Sequence, residues 1–110
     1  MTKCVLKCFV LLTFIFAAAH AQAPAPESKQ VEIFGQKIHY IEAGAASNPA
    51  VILLHGLGGD MSNWAMTIPA LSGKYHVYVP DQIGFGKSDK PIVNYRVAML
   101  VEFLDVFCKK

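Results

Sequence analysis

The sequence predicts an α/β fold in which an antiparallel hairpin is followed by strand, helix, strand and helix. Two short alternating segments, 31–34 and 37–42, flank Gly35-Gln36, which is typical of a hairpin whose glycine takes a positive φ. The continuous apolar run at 50–54 is typical of a strand buried on both faces of a parallel sheet. Apolar residues recur at helical spacing in 64–71 and in 97–108, on either side of a second predicted strand at 76–79.

The helix ends are predicted from capping residues. Ser62 or Asn63 is expected to cap the first helix, which Gly73 would end. Asn94 is expected to cap the second. Because strand, glycine turn, helix and strand follow one another in 50–79, the unit is predicted to be a right-handed parallel crossover with its ligand-facing edge at the strand carboxyl ends.

The first 21 residues have the pattern of a secretory signal peptide. Lys3 and Lys7 precede a run of about a dozen apolar residues, and small residues stand at the cleavage positions, so cleavage is expected after Ala21 or Ala23. The run is short for a bilayer core, but an uncleaved amino-terminal anchor stays open as an alternative. Residues 22–30 are rich in alanine and proline and are predicted to be a linker, and 31–110 the folded domain.

Charge and cysteine content narrow the possible partners. The net charge of +2 comes entirely from Lys3 and Lys7, so the rest of the chain is balanced. This argues against a nucleic-acid partner or a polybasic membrane surface, because both need a positive face. Beyond the signal the sole cysteine is Cys108, which excludes a disulfide framework and is expected to be a small buried residue.

The glycine turn after the 50–54 strand allows three interpretations. A dinucleotide-binding turn would need a glycine or alanine where Met61 stands. A phosphate loop ending in Gly86-Lys87-Ser88 would need a glycine in place of Asp81, whose carboxylate would repel phosphate. The third is an oxyanion loop, in which backbone amides just after His55-Gly56 face the space above the strand ends.

Motifs in a fixed order favour the third interpretation. They are His55-Gly56-Leu57-Gly58-Gly59, then Trp64 and Pro69-Ala70-Leu71, then the loop from Asp81 to Ser88 that contains Gly84-Phe85-Gly86. Together they resemble the amino-terminal part of the α/β-hydrolase sheet over residues 31–110. The resemblance implies that the Leu57 N–H contributes to an oxyanion hole. It also implies that loop-shaping roles fall to His55, Gly56, Gly58, Gly59, Asp81, Gly84 and Gly86, with His55 anchoring the loop by a hydrogen bond and Asp81 accepting from backbone amides.

No catalytic residue of the family is found in the sequence. The nucleophile elbow Gly-x-Ser-x-Gly is missing, and the acid and the catalytic histidine would follow it. The sequence is therefore interpreted as the amino-terminal fragment of an exported hydrolase whose parent is a serine esterase acting on small ester-like molecules. One alternative is a non-catalytic remnant or truncated gene product. Another is an epoxide hydrolase or a dehalogenase-like member with an Asp nucleophile, although haloalkane dehalogenases often have a halide-contacting Asn at the position of Leu57.

No metal or organic cofactor is predicted. The histidines beyond the signal, His39, His55 and His76, fall on the hairpin, the glycine loop and the following strand, and no pair has the i,i+4 spacing of metal ligands. After signal cleavage we expect no stable membrane span and no nucleic-acid partner.

Overall fold

A computed structural model describes residues 24–110, which form a four-stranded mixed sheet with helical segments on both faces. In chain order the elements are β1 (Glu27–Ile33), β2 (Gln36–Ala43), β3 (Ala50–Ile52), a 3₁₀ turn (Met61–Trp64), α1 (Thr67–Ser72), β4 (His76–Pro80) and α2 (Val97–Cys108). The predicted fold class is confirmed. The predicted signal peptide and the first two residues of the predicted linker lie outside the described residues.

The strands lie in the order β1-β2-β4-β3. β2 pairs antiparallel with both β1 and β4, whereas β3 and β4 are parallel, with Val51 opposite Val77. The carboxyl ends of β3 and β4 therefore meet at one edge of the sheet, as the crossover predicted.

The hairpin is longer than the sequence predicted. β1 begins at Glu27, so residues 27–30, assigned to the linker, are strand residues. They lack an apolar pattern, but β2 is eight residues long and offers them partners, with Glu27 opposite Glu42. The turn is Phe34-Gly35 and not Gly35-Gln36, and both residues have positive φ, 53° and 71°. That is the φ pattern of a type I′ turn, whose twist matches that of the strands.

Alternation along the strands divides the core into two layers. On one face the 3₁₀ turn and α1 cover a cluster against which Trp64 packs. Its buried members are Ala43, Leu53, Met61, Ile68, Val77 and Val79. On the other face α2 covers Ile33, Ile38, Ile83, Phe103 and Phe107.

The first predicted helix is broken into two segments. Its cap is Asp60, whose side chain accepts from the Ser62 N–H, and not Ser62 or Asn63. A 3₁₀ turn ends at Trp64, and α1 starts at Thr67 and stops before Gly73. Pro69 explains the break, because a continuous helix would bring its ring against the Ala65 carbonyl, whereas the first turn of a helix tolerates proline.

The second helix begins later than predicted. Its N-cap is Arg96 and not Asn94. The Tyr95 hydroxyl donates to the Pro91 carbonyl at 2.6 Å, which holds the preceding residues in a turn. Cys108 is exposed, contrary to the buried position expected, because Phe103 and Phe107 form the side of α2 that faces the sheet. Between residues 24 and 110 no helix is both long and apolar enough to cross a membrane.

β3 differs from the strand expected from its apolar run. It lies at the edge of the four-stranded sheet, and its residues are exposed or half-buried where burial on both faces was predicted. On the α2 face, an apolar groove of about 450 Å³ runs beside it, lined by Tyr40, Ile52, Tyr78 and Phe107 among others. The unpaired edge and the groove together explain why this strand is less buried than its sequence predicts.

A network of polar side chains crosses the α2 face at the end of the sheet away from the glycine loop. The Lys29 ammonium and the Glu42 carboxylate are 2.6 Å apart, the other Glu42 oxygen lies 2.7 Å from His76 Nε2, and Tyr78 Oη lies 3.1 Å from His76 Nδ1. The hydrogen bond from Lys29, followed by that from His76, holds the pKa of Glu42 below its ordinary 4.5. Burial raises the pKa of Tyr78. This network connects β1, β2 and β4.

We predict that this network of polar side chains makes the free energy of unfolding fall in acid. Because the folded-state pKa of Glu42 is depressed, its contribution is present above pH 4.5 and is lost as the pH falls through the folded value. Glu42→Gln should reduce the acid-induced loss of unfolding free energy. The reduction should be less than about 1 kcal/mol because Lys29 is partly solvated. Urea denaturation at pH 7 and pH 3.5 measures the difference. Glu32→Gln, at an exposed site of β1, is the control, and an equal acid loss in the wild type and Glu42→Gln would contradict the prediction.

Candidate active site

Two loops leave the adjacent carboxyl ends of β3 and β4. The first, residues 53–60, contains the glycine turn, and the second, residues 81–91, contains Gly84 and Gly86. Because β3 and β4 are parallel neighbours, the loops lie side by side, and contacts between them decide where the backbone amides point.

His55 links the two loops. The Gln82 N–H donates to His55 Nε2 at 3.1 Å. A backbone N–H can only donate, so Nε2 must be the unprotonated nitrogen of a neutral ring. The proton is then on Nδ1, which donates to the Gly56 carbonyl at 2.9 Å. The ring is 5% exposed and lies edge-on to Phe85 at 5.4 Å, and its two hydrogen bonds, one to each loop, hold it in place.

The glycine turn closes over Leu57 and Gly58. The Gly59 N–H donates to the Gly56 carbonyl at 3.0 Å. Gly58 has φ +74°, whereas Leu57 is not among the residues with positive φ, which is the φ pattern of a type II turn. A side chain at position 58 would be strained, so a glycine is required there.

The direction of the Leu57 N–H follows from the two bonds to Gly56. In a trans peptide the carbonyl and the N–H point in opposite directions. The Gly56 carbonyl is held on one side by His55 Nδ1 and the Gly59 N–H, so the Leu57 N–H points away from both. No oxygen within residues 24–110 accepts from it, and the Leu57 side chain is 96% exposed.

Asp81 fixes the second loop. Its carboxylate is 1% exposed and accepts the Met61 N–H and the Lys87 N–H, both at 2.7 Å. Asp81 therefore accepts two backbone amides. Gly86 has φ +52°, and a Cβ there would overlap the Asp81 carboxylate, so a glycine is required.

Further bonds join the second loop to β2. Ser88 Oγ donates to the Asp81 carbonyl at 2.6 Å and accepts the His39 N–H at 2.9 Å. Ser88 is 2% exposed, and its hydroxyl is used in these two structural hydrogen bonds. A Cβ at Gly84 would overlap the Tyr95 ring, so this glycine allows the loop to pack against the segment before α2.

The start of the 3₁₀ turn completes the first loop. Asp60 accepts the Ser62 N–H at 2.7 Å, and hydrogen bonding from Ser62 lowers the pKa of the Asp60 carboxyl. A Cβ on Gly59 would lie 2.8 Å from Asn63 Nδ2, so the chain passes close to this turn.

The sequence did not indicate the role of Gln82. Its side-chain Nε2 donates to the His55 carbonyl at 2.7 Å, so both its backbone and its side chain hold the same residue. These contacts join positions 27 residues apart, and no local pattern marks them. Nowhere in residues 24–110 do three or more His, Cys, Asp or Glu side chains come together as a potential metal site.

Comparison with known proteins identifies the family. Residues 49–110 match the family model for the alpha/beta hydrolase fold, so the chain belongs to the α/β-hydrolase family. A haloalkane dehalogenase of Mesorhizobium japonicum is 39% identical over 85 residues, covering 77% of this chain and 27% of that protein. Epoxide hydrolase A of Mycobacterium tuberculosis is 41% identical over 68 residues, covering 61% of this chain and 21% of that protein.

A solved structure shows the same fold. The crystal structure of a bacterial membrane phospholipase A superposes with a TM-score of 0.74 at 33% identity, covering 81% of this chain and 28% of that one. The chain thus spans about a quarter of the length of the relatives it matches.

We predict that Asp81 stabilises the two loops through its pair of oxygen acceptors. In Asp81→Asn one acceptor becomes an NH₂ group, which leaves either the buried Met61 N–H or the half-buried Lys87 N–H without its acceptor, at a cost of up to about 1–3 kcal/mol. Asp89→Asn is the matched control, because Asp89 accepts only the Lys37 N–H through one oxygen and an amide oxygen can replace it. Urea denaturation measures both variants. Equal destabilisation by the two would contradict the prediction.

Proposed function

We propose that the protein to which this chain belongs is an exported α/β-hydrolase that cleaves small carboxylic esters through a serine nucleophile, with the Leu57 N–H as one donor of its oxyanion hole. The observation that carries the proposal is the direction of this N–H, which is set by two hydrogen bonds to the preceding carbonyl. The similarity to a phospholipase supports ester hydrolysis. The nucleophile, acid and catalytic histidine are not among these 110 residues, so the activity is proposed for the whole protein.

The chemistry assigned to Leu57 is electrostatic. Attack of a serine on an ester carbonyl places negative charge on the carbonyl oxygen, and a fixed N–H stabilises this charge without reorganising. The second donor would be the amide after the nucleophile, as the family resemblance implies. His55 is neutral, with both ring nitrogens engaged, and therefore acts by holding the loop.

A second candidate is a hydrolase with an aspartate nucleophile that acts on haloalkanes or epoxides. The observation in its favour is the 39% identity to a haloalkane dehalogenase. Against dehalogenation, the Leu57 side chain carries no N–H to bind a halide, whereas an asparagine at this position would. The two candidates differ in product, because dehalogenation releases halide and ester cleavage releases an acid.

We predict that replacing Leu57 by proline lowers ester hydrolysis by the complete gene product that contains these residues. Proline removes the N–H but suits the second position of a type II turn, so the loop should keep its shape. The expected fall in kcat for a nitrophenyl ester is about 10²- to 10³-fold, the usual effect of losing one oxyanion donor.

Leu57→Ala, which keeps the N–H, is the matched control and should stay near the wild-type rate. Equal kcat values for the proline and alanine variants would refute the role of the N–H. Halide release from a bromoalkane without ester cleavage would favour the second candidate, and no turnover of either substrate class would favour a non-catalytic remnant.

We also propose export with removal of residues 1–21 or 1–23. Mass spectrometry of the product from a secreting host should find an amino terminus at Gln22 or Pro24. Tyrosine at both Ala21 and Ala23 should block processing, because the cleavage site needs small residues, whereas Ala25→Tyr should not. Recovery of the wild-type product with its full amino terminus would refute cleavage and favour an uncleaved anchor.

A further inference from the structure

We infer that Gln82 is the positioning residue of the oxyanion loop. It holds the His55 ring in one tautomer and the His55 carbonyl in one direction, and together these two constraints orient the Leu57 N–H. The inference rests on the proposed function for its catalytic consequence. The loop geometry it describes can be tested without any activity.

The first step is the contact itself. Gln82 is the second residue after β4, and it holds His55 at two points. Its backbone N–H donates to the ring at Nε2, and its side-chain amide donates to the carbonyl at 2.7 Å. A residue bonded at both ring and backbone can neither rotate its side chain nor flip the peptide that follows it without breaking a bond.

The second step is the proton. Because the Gln82 N–H occupies Nε2, the ring proton is confined to Nδ1, where it donates to the Gly56 carbonyl. In the other tautomer, Nδ1 would present a lone pair to that carbonyl oxygen and repel it. The Gln82 backbone therefore decides whether this hydrogen bond can exist.

The third step is the pair of peptide units before Leu57. The carbonyl of the first unit, that of His55, is held by the Gln82 side chain. The carbonyl of the second, that of Gly56, is held by the His55 ring and the Gly59 N–H. The first plane is thus fixed from the neighbouring loop by Gln82. The second is fixed within its own loop, in part by a ring that Gln82 itself holds, and its N–H is that of Leu57. Removing the Gln82 side chain frees the first plane and loosens the second.

The catalytic test uses the complete gene product and a nitrophenyl ester. Gln82→Met keeps the length of the side chain but removes its donor, and should lower kcat on the order of tenfold with KM within about twofold, because the loop contributes to orientation more than to binding. Gln82→Lys restores a donor and should recover most of the rate. Thermal unfolding midpoints of the two variants separate a fall in rate caused by lost positioning from one caused by lost stability.

The structural test uses the full 110-residue chain and hydrogen–deuterium exchange. Gln82→Met should speed exchange in the peptide covering residues 53–60, whereas Gln36→Met, a half-buried glutamine of the hairpin, should not. Unchanged exchange in Gln82→Met, or exchange that rises equally in both variants, overturns the inference. So does unchanged kcat in an active enzyme. Faster exchange confined to Gln82→Met, in a protein that hydrolyses nothing, would support the positioning role while the proposed function fails.

Discussion

Two loops that leave adjacent parallel strands are joined through one buried carboxylate, that of Asp81. A charge that is 1% exposed is tolerated only when hydrogen bonds replace its lost hydration, and here the backbone amides of Met61 and Lys87 supply one to each carboxylate oxygen. The Met61 amide begins the 3₁₀ turn that follows the first loop, and the Lys87 amide lies in the second loop, so the requirement to satisfy the carboxylate fixes the spacing between these two segments. Gly86 is part of the same constraint, because only a residue without Cβ leaves room for the carboxylate.

Within this frame the glycine turn is held by hydrogen bonds from its own loop and from the neighbouring loop. A type II turn alone would fix the Gly59 N–H on the Gly56 carbonyl, and the turn would still be free to tilt as a unit. His55 and Gln82 remove this freedom, because the ring and the carbonyl that precede the turn are bonded to the loop after β4. Preorganisation of this kind is what an electrostatic catalyst needs.

Much of this could be predicted from the sequence, because the relevant signals are local. Neighbouring residues alone predict the β4 segment, the helical periodicity of α2 and the glycine turn. The hydrogen-bonding roles of His55 and Asp81 are implied by the family resemblance. The errors have non-local causes. Residues 27–30 become strand because β2 offers partners, the first helix splits at Pro69, and Cys108 is exposed because Phe103 and Phe107 decide which side of α2 faces the sheet. Gln82 was missed because its partner lies 27 residues away.

The bond between the Lys37 N–H and Asp89 bears on the order of folding. It joins residues 52 positions apart, whereas the β1–β2 hairpin closes over a two-residue turn. Closing a loop of that length costs more conformational entropy than closing the hairpin, and contacts so distant in sequence slow folding. We therefore expect the hairpin to form early and the loop from Asp81 to Asp89 to dock onto β2 later. A molecule trapped before that step would have its hairpin, but the loops at the carboxyl ends of β3 and β4 would be unformed.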